Sequence, residues 1–436
     1  MSRLENPREW YPAPVLSVAV LVELIRGDTS GGHVKCWERF AESAARLTAP
    51  APAPALDLTV YFLGTRERVE ALSPRVRLVM LRPLLGSGFL TSARGAEDVT
   101  DLAPCHPRLA ALLPRHDVWH LTHGFAYATT AVRLARRTAR TGGPVPRLVA
   151  SVHTDVPALA AVYARYLAAR RLPRAGPPLA RGAEHWLRRR RDRLLGACER
   201  VLAPTPAGCA ELAPVLGADR VGLLRRGVDH TRFRPDPTAR ARLTRAYGLP
   251  ADRPLILFAG RLDASKGLPL LAESVRRLRA QGRPAHLVLA GAGAEAEPVR
   301  RSLAPDVTLL GPLPQDRLAH VYAGCDLFAF PSRTETCGNA VAEAMAGGLA
   351  VLLPEGARTT GWLTAPGEDG IVVPQDTPAA WATALAALLD DPPRLTAVRH
   401  RAAATARETH PSWDRVLAED LLPVWLPERP SPGDVP

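Results

Sequence analysis

Two stretches of this 436-residue chain hold side chains whose spacing suits the capture of a charged, hydroxyl-rich ligand. In Gly260-Arg261-Leu262-Asp263-Ala264-Ser265-Lys266-Gly267 a guanidinium and an ammonium stand five positions apart. On a loop that follows a strand they can grip one diphosphate from two sides, arginine as a planar fork and lysine as a point charge. Lys266 is also unusual for its type: of 56 basic residues only Lys35 and Lys266 are lysine. An exposed basic turn is the plainer reading of Arg261 taken alone. Further on, in Pro331-Ser332-Arg333-Thr334-Glu335-Thr336-Cys337-Gly338-Asn339-Ala340-Val341-Ala342-Glu343, two carboxylates eight residues apart flank Gly338. A helix starting at that glycine offers free N–H groups, from Gly338 through Asn339 to Ala340, to phosphate oxygens. Carboxylates are poor phosphate ligands, so Glu335 and Glu343 suit the hydroxyls of a sugar. Helix capping by Glu335 and a surface position for Glu343 are the structural alternatives.

Histidines end two other apolar runs, in His120-Leu121-Thr122-His123-Gly124 and Ser151-Val152-His153-Thr154-Asp155. A strand-end histidine can hydrogen-bond a sugar hydroxyl or the peptide carbonyls around it. His123 and Asp155 are candidates for the side of the site where a second substrate would enter. The order His-Thr-Asp would suit a metal, but no third ligand stands at a recognisable spacing. The chain also has no D-x-D triplet. The expectation is a site without metal or bound cofactor, in which Arg261 and Lys266 take a metal's place. The pair Gly31-Gly32, followed by His33, lets backbone approach a ligand closely. Gly291-Ala292-Gly293 lacks the third glycine of the dinucleotide fingerprint, so NAD binding is not read from it.

The elements that must position these residues form a repeating pattern. Short apolar runs, each followed by an Ala/Leu/Arg segment of helical spacing, occur at 15–23, 56–63, 76–81, 117–122, 147–152 and 200–203. A second group lies at 255–259, 286–290, 307–310, 327–330, 350–353 and 371–373. Continuous apolar strands alternating with helices argue for parallel sheets covered on both faces, here two Rossmann-like domains joined through a Pro/Arg-rich linker at 229–254. Ligands bind such sheets at the carboxyl ends of strands, which is where the candidate residues stand.

At this point the E-x7-E string, the G-R-L-x-x-x-K-G loop and Arg226-Gly227-Val228-Asp229-His230-Thr231-Arg232-Phe233-Arg234-Pro235 together resemble retaining glycosyltransferases of family 4. The likeness is dense from about Leu224 to Asp391 and thinner before it. It implies the GT-B fold, with two Rossmann-like domains facing each other across a cleft. The acceptor-side domain would span 1–224 and the donor-side domain 225–411, with a last helix, 412–436, packing back on the first domain. It further implies that Arg261 and Lys266 neutralise the donor diphosphate, that Glu335 holds donor-sugar hydroxyls and that Glu343 holds the ribose. His153 would lie near the donor sugar, and Gly31 and Gly32 would face the donor phosphates. The amides of Gly338 and Asn339 would complete the phosphate cradle, and the base would sit near Leu310 and Leu313. Cys337 departs from the family, which commonly has an aromatic residue there; packing is its plainer role and a reactive thiol the alternative. Transfer of a sugar from a UDP- or GDP-linked donor to a hydroxyl of a lipid, glycan or small metabolite is the expected activity. A nucleotide-sugar 2-epimerase on the same architecture is the rival. A phosphorylase would need a pyridoxal-bearing lysine, for which Lys35 is badly placed.

Composition narrows the remaining classes. With 47% apolar and 23% charged residues the chain can bury sizeable cores and is neither disordered nor fibrous. The formal charge of +13 is uneven: between Arg165 and Arg200 eleven arginines face three acids. No zinc-finger spacing or aromatic-studded RNA motif accompanies them, which argues against specific nucleic-acid binding. Mixed with Leu, Trp and Tyr, they suit a helix lying on an anionic membrane, or simply the wet side of ordinary helices. Six scattered cysteines without a C-x-x-C pair indicate reduced thiols and a cytoplasmic setting, peripheral to the inner membrane face at most.

Overall fold

The computed structural model describes residues 15–27, 31–47, 55–87, 100–153 and 176–426. Two sheets organise them. The first runs β3-β4-β2-β1-β5-β6-β7-β8, with β1 at Val15–Ile25, β2 at Ala55–Leu63, β3 at Arg68–Ser73, β4 at Val76–Leu81, β5 at Val118–Leu121, β6 at Arg147–Ser151, β7 at Arg200–Ala203 and β8 at Val221–Leu223. The second runs β11-β10-β9-β12-β13-β14, with β9 at Leu255–Ala259, β10 at His286–Ala290, β11 at Val307–Gly311, β12 at Leu327–Ala329, β13 at Ala350–Pro354 and β14 at Ile371–Val373. Every pairing is parallel except β3 with β4. Strands β9 and β13 are buried along their whole length, as the continuous apolar runs require when helices cover both faces.

The sequence pattern located twelve strands and missed two. Strand β3 is an antiparallel edge with mostly exposed or half-buried residues, and β8 is three residues long with a central glycine. Neither offers the apolar run on which the reading depended. The stretch 229–254 also differs from a free linker. Phe233, Leu243 and Leu249 are buried in the core of the second sheet, and a helix forms over Ala239–Tyr247.

Much of the proline content has a local reason. The helices Pro206–Leu216, Pro378–Leu389 and Pro392–Thr409 all open with proline, and Thr205, Thr377 and Asp391 cap them through side-chain oxygens. Proline fits there because the first N–H of a helix has no intrahelical partner to lose.

The chain crosses between the sheets twice, side by side. The first crossing is Arg225–Asp229 and the second Pro411–Trp413, joined by a bond from the Val228 amide to the Pro411 carbonyl (2.9 Å). A Cβ on Gly227 would lie 2.6 Å from the Trp413 backbone, so only glycine permits this approach. Ser412 caps the segment that follows, accepting from the Arg415 amide at 3.1 Å. Trp413, Val416, Leu417, Leu421 and Trp425 of that segment are buried in the core of the first sheet, among Val18, Val20 and Phe40. Residues 427–436 lie outside the described set, as does 154–175, which holds four of the eleven arginines of the arginine-rich stretch.

In the described part of that stretch, Arg190 turns inward, donating to the Gly124 carbonyl and the Thr129 hydroxyl, both at 3.0 Å. Arg191 pairs with Asp192 at 3.0 Å. No helix among the described residues is long and apolar enough to cross a membrane.

Candidate functional site

At the carboxyl ends of β9 and β12 two loops are locked together. Asp263 caps a short turn by accepting from the Lys266 amide, and Gly267 follows at φ 74°. A Cβ on Gly267 would come within 2.8 Å of Pro331, so the glycine lets the Lys266 loop lie directly on the loop after β12. That contact delivers the Lys266 ammonium to Glu335 Oε1 at 2.5 Å and to Thr334 Oγ1 at 3.3 Å. Lys266 and Glu335 are thus brought together as a mutual pair. Arg261 stands more open, with Asp263 at 3.6 Å.

The same loop is braced from β10. A Cβ on Gly291 would fall 1.9 Å from the Gly260 carbonyl oxygen, and one on Gly293 would fall 2.3 Å from that of Leu262. The Leu262 amide meanwhile donates to the Ala292 carbonyl at 2.8 Å. Gly291 and Gly293, which showed no complete nucleotide fingerprint, hold the Arg261 loop by backbone contact.

Gly338 initiates the helix Asn339–Ala346 in the left-handed region, φ 68°, with Thr359 2.5 Å from where a Cβ would be. Val341 is the first residue whose amide finds the turn's carbonyl, that of Gly338. The amides of Asn339 and Ala340 have no backbone acceptor among the described residues, and they carry the positive end of the helix dipole. Glu343 lies in the second turn near Tyr322, Arg232 and, from the helix Gly32–Arg46 of the first domain, Arg39; burial pushes its carboxyl up to about 7. Leu310 and Leu313 are half-buried against the second core, at the end of β11.

Across the cleft three adjacent strands, β1, β5 and β6, each lead to a histidine. His33 is stacked between His123 (ring centroids 4.3 Å) and His153 (4.0 Å). Gly31 is the residue before the helix that carries His33, and a Cβ on Gly32 would meet nothing within 4 Å. His153 differs from the expected hydroxyl ligand, because both its nitrogens are engaged inside the protein. Arg226 Nη2 donates to Nδ1 at 2.8 Å, and Nε2 faces Ser151 Oγ at 2.7 Å. Arginine cannot accept, so Nδ1 must, and the proton of the neutral ring sits on Nε2. The same logic fixes His120: Trp425 Nε1 donates to its Nδ1 at 2.9 Å, leaving Nε2–H for Ser151 Oγ at 2.7 Å. Burial holds these rings neutral, pushing His120 to about 3 and His123 to about 4 and lowering His153. Asp155 lies outside the described residues.

Sequence reasoning missed His33 and Arg226. The available signal for His33 was a histidine following each of three strands that prove to be neighbours. Arg226 contacts residues 73 and 190 positions away, which no local pattern reports. Cys337 is half-buried beside Arg226, and its carbonyl accepts from Trp362 Nε1 at 2.6 Å.

A small cavity of ≈ 70 Å³ borders the histidines, lined by Phe125, Leu187 and Leu194 as well as His123 and His153. A larger one, ≈ 330 Å³, opens over β2 and β4. It lies apart from the two loops, and its polar groups pair with each other, Arg77 with Asp57 at 2.8 Å and Tyr61 with His116 at 2.9 Å.

Two Rossmann-like domains, each built on a largely parallel sheet and meeting at a cleft, define the GT-B fold, and solved structures agree. Sucrose-phosphate synthase from Thermosynechococcus elongatus superposes with TM-score 0.64 at 19% identity, covering 92% of this chain and 96% of that one. The Anabaena protein HepE, solved with UDP and glucose, gives TM-score 0.62 at 15% identity over 92% and 96%. Residues 253–391 match the family glycosyl transferases group 1. D-inositol 3-phosphate glycosyltransferase 2 of Catenulispora acidiphila is 35% identical over 257 residues, which is 53% of this chain and 59% of the relative. The chain thus spans little more than half the length of that relative.

Proposed function

We propose that the protein is a retaining glycosyltransferase that moves a sugar from a nucleotide diphosphate to an acceptor hydroxyl. The observation that carries the reading is the Lys266–Glu335 pair on the loop that leads into the helix opening at Asn339, where the amides of Asn339 and Ala340 have no backbone acceptor among the described residues, within the segment that matches the transferase family. A cation, a carboxylate and a helix N-terminus at strand ends suit a diphosphate joined to a polyhydroxylated ring. Lys266 exchanges its carboxylate partner for the arriving phosphate, which frees Glu335 for sugar hydroxyls. Arg261, half-open and weakly paired, meets the diphosphate from the other side.

In the reaction the bond between the anomeric carbon and the phosphate oxygen breaks as the acceptor oxygen bonds to that carbon from the same face. The acceptor's proton passes to the departing phosphate. Charge grows on that leaving group, so Arg261, Lys266 and the helix amides stabilise the transition state more than the ground state. No metal is assigned a part in this scheme.

A panel of nucleoside diphosphates tests the reading by thermal shift. A ligand present at about 100 times its Kd adds about 2.7 kcal/mol of stability. Absence of any shift across the panel overturns the donor assignment. Once a donor is found, product stereochemistry by NMR tests retention, and activity abolished by EDTA and restored by Mg²⁺ overturns metal independence. Turnover of the nucleotide sugar without an acceptor would establish the epimerase instead.

A further inference from the structure

We infer that Arg226 and His33 form an oxyanion subsite in the cleft, which takes a negatively charged oxygen group carried by a substrate. This rests on the transferase reading and adds a charge requirement that the reading does not contain.

Arg226 is 7% exposed and no carboxylate among the described residues pairs with it. Its guanidinium instead meets His153 Nδ1 (2.8 Å), Cys36 Sγ (3.2 Å) and Cys337. Burying a cation without a counter-ion is costly, so such groups are normally paired or meet a ligand. The neighbours cannot offset the charge. His153 accepts a hydrogen bond but is neutral, and burial pushes the Cys36 thiol up to about 11, so it stays protonated near neutral pH. Nearby cations are served differently: Arg225 has Asp420, Arg232 has Asp229, and Lys266 has Glu335.

His33 supplies a second donor. Both of its ring nitrogens are buried and neither has a hydrogen-bond partner among the described residues. The stack between His123 and His153 fixes its plane, and burial together with Arg226 keeps it neutral, so one nitrogen carries a proton. A guanidinium and an N–H that both flank His153, the one bonded to its Nδ1 and the other stacked on its ring, are complementary to a carboxylate or phosphate oxygen. Cys337, which Arg226 touches, is two residues beyond Glu335. The anion therefore arrives where the transferase reading places the reacting sugar.

Three substrate groups share this chemistry: the donor diphosphate, a carboxylate on the donor sugar, and a phosphate on the acceptor. Calorimetric titration of the full chain distinguishes them with three matched pairs. These are a nucleoside diphosphate against its nucleoside, a nucleotide-linked glucuronate against the linked glucose, and inositol phosphate against inositol. The wild type should favour the anionic member of at least one pair. Arg226→Gln should reduce that preference about tenfold or more, as loss of a charged hydrogen bond does, and Arg226→Lys should reduce it less. Should Arg226→Gln fail to fold by circular dichroism, His33→Ala carries the test, with a loss of about threefold or more. The pair affected identifies the source of the anion. Preferences unchanged within about twofold in every pair, for the folded variants, overturn the subsite. A wild type that binds no nucleoside diphosphate overturns the transferase reading, and the inositol pair then decides the subsite by itself.

Discussion

Trp425 is the far end of a polar relay that finishes at the cleft, so it should affect both stability and the histidines. Its side chain is fully buried in the first core, and its indole N–H donates to His120 Nδ1 at 2.9 Å. From there the bonds run through Ser151 and His153 to Arg226. Two substitutions separate the contributions. Trp425→Ala removes a large apolar side chain and should cost about 3–5 kcal/mol. Trp425→Phe keeps most of that surface but leaves His120 Nδ1 buried without a donor, which costs about 1–3 kcal/mol. With about 2–4 °C lost per kcal/mol in a unit of this size, the melting temperature should fall by about 6–20 °C for alanine and about 2–12 °C for phenylalanine. Differential scanning calorimetry of the full chain measures the fall, and histidine-selective NMR should show His120 and His153 signals moving in both variants. Melting of Trp425→Ala within a degree or two of the wild type, with unmoved histidine signals, would refute both the docking energy and the relay.

Lys266→Ala and Arg261→Ala should each weaken nucleoside diphosphate binding by about 10- to 100-fold while far-ultraviolet circular dichroism stays unchanged; wild-type affinity in either variant removes that residue from the diphosphate site. Gly291→Ala places a methyl 1.9 Å from the Gly260 carbonyl, so it should displace the Arg261 loop and cost more than about 2 kcal/mol, read from the melting temperature. Stability should also peak near pH 6–7. His116, His120 and His123, held near 4, 3 and 4, with His33 and His153 also lowered, bind fewer protons folded than unfolded below their usual 6.5. They therefore make stability rise with pH up to that value, at about 1.4 kcal/mol per pH unit for each proton. Glu23 and Glu343, raised to about 8 and about 7, hold extra protons when folded and lower stability as pH climbs past 4.5. Five histidines outweigh two glutamates below 6.5 and only the glutamates act above it, so a melting temperature that rises steadily from pH 6.5 to 8 contradicts the assignment.

What the sequence disclosed and what it hid follow from how far apart the interacting residues are. Strands β9 and β13 are apolar along every residue and β10 along every residue after His286, so a window of five sufficed to see them. The Lys266 loop and the Glu335 string each lie within a dozen residues, and their types pointed to phosphate and sugar. That Lys266 and Glu335 meet depends on Gly267 packing on Pro331, a contact 64 positions long. The histidine stack depends on strand order. His33, His123 and His153 converge only because β5 inserts between β1 and β6, and that order is a property of the sheet. Arg226 was visible as part of a recognised string, but its environment is assembled from three separate segments.

That environment also explains why the cleft should respond to the C-terminal segment. Arg226 stands between two residues that are clamped to it. Arg225 binds Asp420 through its guanidinium, with the closest contact 2.5 Å, and through its amide at 2.8 Å. Gly227 lies against the Trp413 backbone, where no side chain could intervene. A residue held on both sides has little freedom in its own φ and ψ, so the Arg226 side chain leaves the backbone in a fixed direction. It then reaches His153 and Cys36 from the first domain and Cys337 from the second. The crossing therefore sets the relation between the histidine stack and the Gly338 helix. A shift of the segment from Trp413 to Trp425 must move Arg226, and through it the spacing between the two walls of the cleft. The crossing at Arg225–Asp229 and the C-terminal segment thus form one braced unit between the two walls of the cleft.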